Sequence, residues 1–230
     1  MNTVLDAMNL SLRKKQEVGR PSKAFWRGSL MGGCLRAHWY DSTGVEGKPF
    51  DDGTLRLFER GHVVSDTVNK LLASSPAFTS FESEVPVTLE RWNFAGNIDA
   101  VVKWAGTGHV EILEYKSVRQ RALSYLKEVK PEHAIQAALY SNALTIQRVA
   151  QQRIPARVVY FSADDLETRE FPLEDYWYEK AWRVLDVARI FKDRNRMPPR
   201  IPGATEGRKY PCGYCKFQTV CLGEERTNGK

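Results

Sequence analysis

Hydrophobic and polar positions divide this chain into helix-like and strand-like stretches in a readable order. Leu57, Val64, Val68, Leu71 and Leu72 recur at roughly helical spacing, with Thr54 as a candidate cap, and Ser74-Ser75-Pro76 ends the pattern. Three strand-like runs follow, 78–89, 93–104 and 109–118, separated by turn-forming residues. Pro131 suits the first turn of a long helix reaching about residue 150, with Ile135, Leu139, Ala143 and Ile146 as its core stripe. A run at 156–163 is rich in β-branched and aromatic residues, and a short strand at 168–171 is placed to pair with it. Glu174 opens a further helix that stops near Asn195, before Pro198-Pro199. At the other end, 25–41 reads as a short helix carrying Cys34, loosened by Gly32 and Gly33, and 44–53 reads as a loop. Strands interleaved with long helices predict an α/β fold, without internal repeats or low-complexity tracts.

Composition narrows the class. A chain of 230 residues with 42% hydrophobic content can bury one sizeable core, so a single domain over 1–230 is expected. No apolar run has the length of a membrane span, and Asp6 and Glu17 interrupt the first twenty residues, so a cytoplasmic protein with no membrane partner is expected. The net charge of +6 is modest, but 189–216 holds eight Lys or Arg against two acids. Such a stretch attracts a polyanion through counterion release, and nucleic acid is the commonest one.

The chemistry concentrates at His109-Val110-Glu111-Ile112-Leu113-Glu114-Tyr115-Lys116-Ser117. Strand side chains alternate between faces, so Glu114 and Lys116 share a side. The Gly106-Thr107-Gly108 turn favours an antiparallel pair that brings Asp99 beside Glu114. Two carboxylates can hold Mg2+ or Mn2+, which prefer oxygen ligands and keep several waters. The lysine can orient an attacking water or stabilise charge developing on a phosphate.

Asp99 followed by Glu114-Tyr115-Lys116 resembles the signature of the PD-(D/E)XK nuclease superfamily. The RecB-like branch adds a histidine on an upstream helix and a Gln-X-X-X-Tyr pair on the helix after the lysine. His62 and the pair Gln136 and Tyr140 match both in chain order. The resemblance implies a mixed central sheet flanked by helices, with Asp99, Glu114, Lys116, Gln136 and Tyr140 as catalytic residues. It implies a metal held by His62, Asp99, Glu114 and the backbone carbonyl of Tyr115, and an imidazole ligand favours manganese over magnesium.

Cys212-Gly213-Tyr214-Cys215 and Cys221 form a C-X2-C-X5-C run, and Cys34 lies near the opposite terminus. Four thiolates hold either zinc or an iron–sulfur cluster, and the cysteines alone leave both open. One N-terminal and three C-terminal cysteines bracketing such a core resemble the Cas4-like iron–sulfur nucleases. That resemblance implies a [4Fe–4S] cluster on Cys34, Cys212, Cys215 and Cys221. It divides the chain into a nuclease core at 54–188 and an iron–sulfur subdomain formed by 25–53 and 189–222.

Arg119 and Arg121, just past Lys116, are candidate phosphate contacts. Among Trp26, Trp39, Tyr40, Phe58 and Trp92, one or two are expected to stack on bases. The expected activity is a metal-dependent DNA exonuclease acting on single-stranded ends or overhangs. Its expected setting is CRISPR adaptation, recombination or repair, cellular or viral, with proteins of those pathways as partners and an oligomer open. A DNA-end-binding partner subunit with a conditional nuclease site is the alternative, disfavoured by the complete residue set. A zinc-stabilised RNA-binding scaffold is a third.

Overall fold

The computed structural model describes residues 3–18, 24–202 and 211–223. In chain order the elements begin with helix α1 (Val4–Val18), strand β1 (Trp26–Arg27), the single turn α2 (Gly28–Met31), helix α3 (Leu35–Ser42) and helix α4 (Asp52–Ala73). Strands β2 (Phe78–Leu89), β3 (Phe94–Trp104) and β4 (Val110–Val118) follow, then helices α5 (Gln120–Tyr125) and α6 (Pro131–Gln147). Strands β5 (Ala156–Ser162) and β6 (Thr168–Pro172) precede helix α7 (Asp175–Asp193) and the short α8 (Gln218–Gly223). The expected α/β architecture forms, a mixed six-stranded sheet flanked by helices.

Strand β3 organises the sheet. One of its edges pairs antiparallel with β2 along nearly its whole length, from Leu89 opposite Phe94 to Phe78 opposite Trp104. The other edge is shared: β1 runs parallel beside Phe94 and Ala95, and β4 runs antiparallel beside Ala100 to Lys103. Residues 96–99 therefore lie in the gap between β1 and β4. From β4 the chain crosses over through α5 and α6 to β5, which is parallel to β4, and β6 closes the far side antiparallel.

Two cores cover the two faces. Helix α4 lays Val64 and Val68 on Ala100, Val102, Leu113 and Tyr115. Helix α6 packs on the opposite face, against Ile98, Ile112, Val158 and Tyr160, with Tyr178 and Leu185 of α7 beyond it. Because α6 lies between sheet and helix, every residue from Ala134 to Leu144 is buried, rather than one stripe. Ile146, expected in that stripe, is exposed, since it lies in the last turn beyond this cover.

Other expectations are corrected locally. Thr54 is not the cap of α4: the Asp51 carboxylate accepts the Thr54 N–H at 2.7 Å, so the helix starts at Asp52. Leu57 and Leu71 are exposed and Leu55 takes a core position instead. The expected helix at 25–41 is a strand, a turn and a helix. A Cβ at Gly32 would meet the Glu132 carbonyl oxygen at 2.0 Å, so this turn is pressed onto the start of α6 and cannot run on as a helix. Cys34 consequently sits at the N-cap of α3. Trp26, Trp39 and Tyr40 are buried at 0%, 8% and 3% exposure, where they fill the core and are closed to bases. Trp92 donates its indole N–H to Asp186 on α7. Among the described residues no helix is long and apolar enough to cross a membrane.

Candidate active site

Strand register builds the site. Pairing of Ala100 with Leu113 sets Asp99 opposite Glu114, and the Tyr115 N–H donates to an Asp99 carboxylate oxygen at 2.6 Å. Alternation along β4 sends Leu113 and Tyr115 toward α4, and Glu114 and Lys116 toward α6. Lys116 Nζ donates to Glu114 Oε1 at 2.5 Å and to Gln136 Oε1 at 3.1 Å. Gln136 Nε2 in turn donates to the Tyr140 hydroxyl at 3.3 Å, one helical turn along α6.

Two glycines seat that tyrosine. A Cβ at Gly28 would meet Tyr140 Cε1 at 2.1 Å, and one at Gly96 would meet it at 2.3 Å. The ring is thus clamped between α2 and β3, in the gap between β1 and β4. Its hydroxyl is pushed well above the usual phenol range by burial and by Glu114, so it stays protonated.

Burial, reinforced by Glu114, raises Asp99 well above the usual carboxylate range, with Lys116 and the Tyr115 N–H opposing. Burial also raises Glu114, against the pull of Lys116. Burial pulls Lys116 down, but Glu114 and Asp99 outweigh it, and the ammonium ends above its ordinary value. Glu114 is only 1% exposed, and its Oε2 has no hydrogen-bond partner. A buried carboxylate oxygen without a donor is costly, and two carboxylates beside a strand carbonyl suit a hard divalent cation.

These groups line a groove of about 730 Å³. His62 reaches it from the exposed side of α4, which covers the other face of the sheet. Phe58, one turn earlier, is half exposed in the same groove. Arg119, at the N-cap of α5, and Arg121, in its first turn, are exposed and are not among the residues lining the groove. Sequence reasoning missed Glu84, which lines the groove from β2, directly across from Asp99. Its signal, an acid in a strand flanking the Asp99 run, was too common to single out.

A second cavity, of about 600 Å³, shares Arg27, Phe58, Lys116 and Gln136 with this groove. It also shares Cys34 and Cys215 with a third, of about 230 Å³, whose walls hold all four cysteines, each half-buried. Burial pushes the Cys215 thiol up, and Cys34, Cys212 and Cys221 add to it. The terminal segments are stitched together here. Asp41 pairs with both Arg27 and Lys216, the Lys48 N–H donates to the Lys216 carbonyl at 2.8 Å, and Phe217 packs on Tyr40.

The expected ligand sets share cavities without closing. Among the described residues no group of three or more His, Cys, Asp or Glu is arranged to hold a metal ion. The basic stretch at 189–216 lies partly outside the described residues, at 203–210. Of the remainder, Arg189 pairs with Asp193, Lys216 with Asp41, and Arg200 donates to the Cys221 carbonyl, so much of its charge ties the segment down.

A mixed sheet whose split edge presents Asp, Glu and Lys to a helix-borne Gln and Tyr is the layout of a phosphodiester-cleaving enzyme. The chain belongs to the PD-(D/E)XK nuclease superfamily, whose model matches residues 14–222. Enzymes of this superfamily use divalent metals such as Mg2+ or Mn2+ and act on DNA. The fold is similar to the crystal structure of SSO0001, with a TM-score of 0.59 and 15% identity over 96% of this chain and 97% of that one. It is also similar to a protein from Eubacterium rectale described as a candidate exonuclease, with a TM-score of 0.50 and 13% identity over 82% and 87% of the two chains. No curated protein sequence matches.

Proposed function

We propose that this protein is a divalent-metal-dependent exonuclease of the Cas4-like type that degrades DNA from single-stranded ends or overhangs in the cytoplasm. The observation that carries this reading is the buried, unpartnered Glu114 Oε2 beside Asp99, with Lys116 held against the same carboxylate. Asp99, Glu114, the Tyr115 carbonyl and His62 would hold the cation, which supplies Lewis-acid charge neutralisation and an acidified water.

The protein's own groups do the rest. Lys116 stays protonated at neutral pH, so it acts as a fixed positive charge for the developing phosphate charge rather than as a base. Gln136 and Tyr140 fix the direction of that ammonium. Water adds to phosphorus and loses a proton to solvent, the bond to the leaving sugar oxygen breaks, and that oxygen takes up a proton from solvent.

Single-stranded DNA is the proposed substrate. Phe58 offers a sequence-tolerant stacking face beside the catalytic lysine, and Arg27 lies along the path toward the cysteines. Four thiols on one cavity are the donor set of a [4Fe–4S] cluster, and Cys34, Cys212, Cys215 and Cys221 would hold it as a clasp between the termini. In this reading 54–188 is the nuclease core, and 25–53 with 189–222 form the clasp. CRISPR adaptation and recombination or repair both need such an end-trimming activity.

The test is degradation of end-labelled single-stranded DNA with Mn2+ or Mg2+ by wild type, Glu114→Ala and Lys116→Ala. Metal-dependent loss of substrate by wild type, abolished in both variants, is the expected result. Binding to DNA ends without metal-dependent cleavage would replace it with an end-binding role.

A further inference from the structure

Glu84 stands in β2 directly opposite Asp99, because the pairs Ser83 with Ala100 and Val85 with Ile98 flank it in one unbroken register. Its φ is 52°, a left-handed value in the middle of a strand that only a few per cent of non-glycine residues adopt. The side chain lines the same groove as His62, Asp99 and Glu114. Like charges directly opposite each other on an antiparallel ladder are destabilising, and Glu84 adds to the upward pressure on both Asp99 and Glu114. Among the described residues Glu84 makes no ion pair, and the cations of the groove are committed elsewhere, Lys116 to Glu114 and Arg27 to Asp41. A surface glutamate placed only for solubility has no reason to face Asp99 through a strained backbone.

The unpartnered oxygen supplies the independent observation. Glu114, almost fully buried and with Oε2 unpartnered, lines the same groove as Glu84, from the far side of β3. Four carboxylates, Asp66, Glu84, Asp99 and Glu114, thus line one groove with Arg27 and Lys116 as its fixed cations, an excess of negative charge that a hard cation offsets.

We propose that Glu84 is a further divalent-metal ligand of the nuclease groove, acting with Asp99 across the β2–β3 pair. The inference rests on the nuclease reading and adds to it a ligand from a strand outside the Asp and Glu-X-Lys signature. Its cation is of the same hard class, Mn2+ or Mg2+. A carboxylate on this side lets the groove hold a cation from both edges of β3, or hold a second one.

The experiment is Mn2+ titration by calorimetry, with thermal unfolding in the presence and absence of Mn2+, on wild type, Glu84→Gln and Glu114→Gln. Glu84→Gln is expected to weaken Mn2+ binding by about tenfold or more, or to remove one equivalent. It should shrink the metal-induced rise in Tm while raising the Tm of the metal-free protein, because the opposed charge is gone. Wild-type titration and metal-induced shift in Glu84→Gln, with binding abolished in Glu114→Gln, would overturn the proposal and leave the nuclease reading standing. Unimpaired Mn2+ binding in Glu114→Gln would overturn both.

Discussion

Tyr140 shows how a single side chain sets requirements on distant residues. Its ring occupies the space where Gly28 and Gly96 have no Cβ, and its hydroxyl completes the chain from Glu114 through Lys116 and Gln136. A methyl at Gly96 must displace the ring or the strand, and overpacking of this kind costs about 1–3 kcal/mol. Gly96→Ala is therefore expected to lose stability in urea denaturation by that amount and to lose most nuclease activity. If Gly96→Ala unfolds at the wild-type urea midpoint and cleaves at the wild-type rate, the clamp is not needed.

Helix α3 meets strand β1 through His38, which is 1% exposed and accepts the Arg27 N–H on Nε2 at 2.9 Å. Burial, and then the nearby Arg27 charge, push the imidazole down to about 3 from its ordinary 6.5. The fold therefore keeps His38 neutral where the unfolded chain protonates it. Stability from this group is complete above the unfolded value and is lost as pH falls from 6.5 toward 3, at about 1.4 kcal/mol per pH unit. Asp99 and Glu114, raised in the fold, have the opposite sign, so the histidine must be read by difference. Between pH 7 and pH 5, His38→Gln is expected to lose about 2 kcal/mol less than wild type, whatever its starting stability. Equal losses in the two proteins would show that His38 is not the titrating group.

At the scale of the molecule, segments 27–48 and 211–221 meet beside the groove. The contacts of Asp41 with Arg27 and Lys216, and of Phe217 with Tyr40, hold the cysteine cavity against the groove that leads to Lys116. A cross-link from Cys34 to the C-terminal cysteines would close a loop of nearly the whole chain, where restriction of the unfolded ensemble is greatest. Cys215→Ala is expected to lower Tm and weaken single-strand binding together. An unchanged melting temperature in anaerobically prepared protein would remove the clasp.

The sequence by itself determined the element order and much of the chemistry. Period-two alternation placed Glu114 and Lys116 on one face, and helical spacing placed Gln136 and Tyr140 together, because both relations lie within one element. It could not show that α6 is buried all round, since that follows from α7 packing outside it. Nor could it show that Trp26, Trp39 and Tyr40 are core while Phe58 faces the groove, because an aromatic residue reads alike in either place. The split edge of β3, the seat of Tyr140 between two glycines, and the meeting of Glu84 with Asp99 were decided by strand register across segments. Such contacts depend on which edge each strand takes, and only the folded sheet makes that choice.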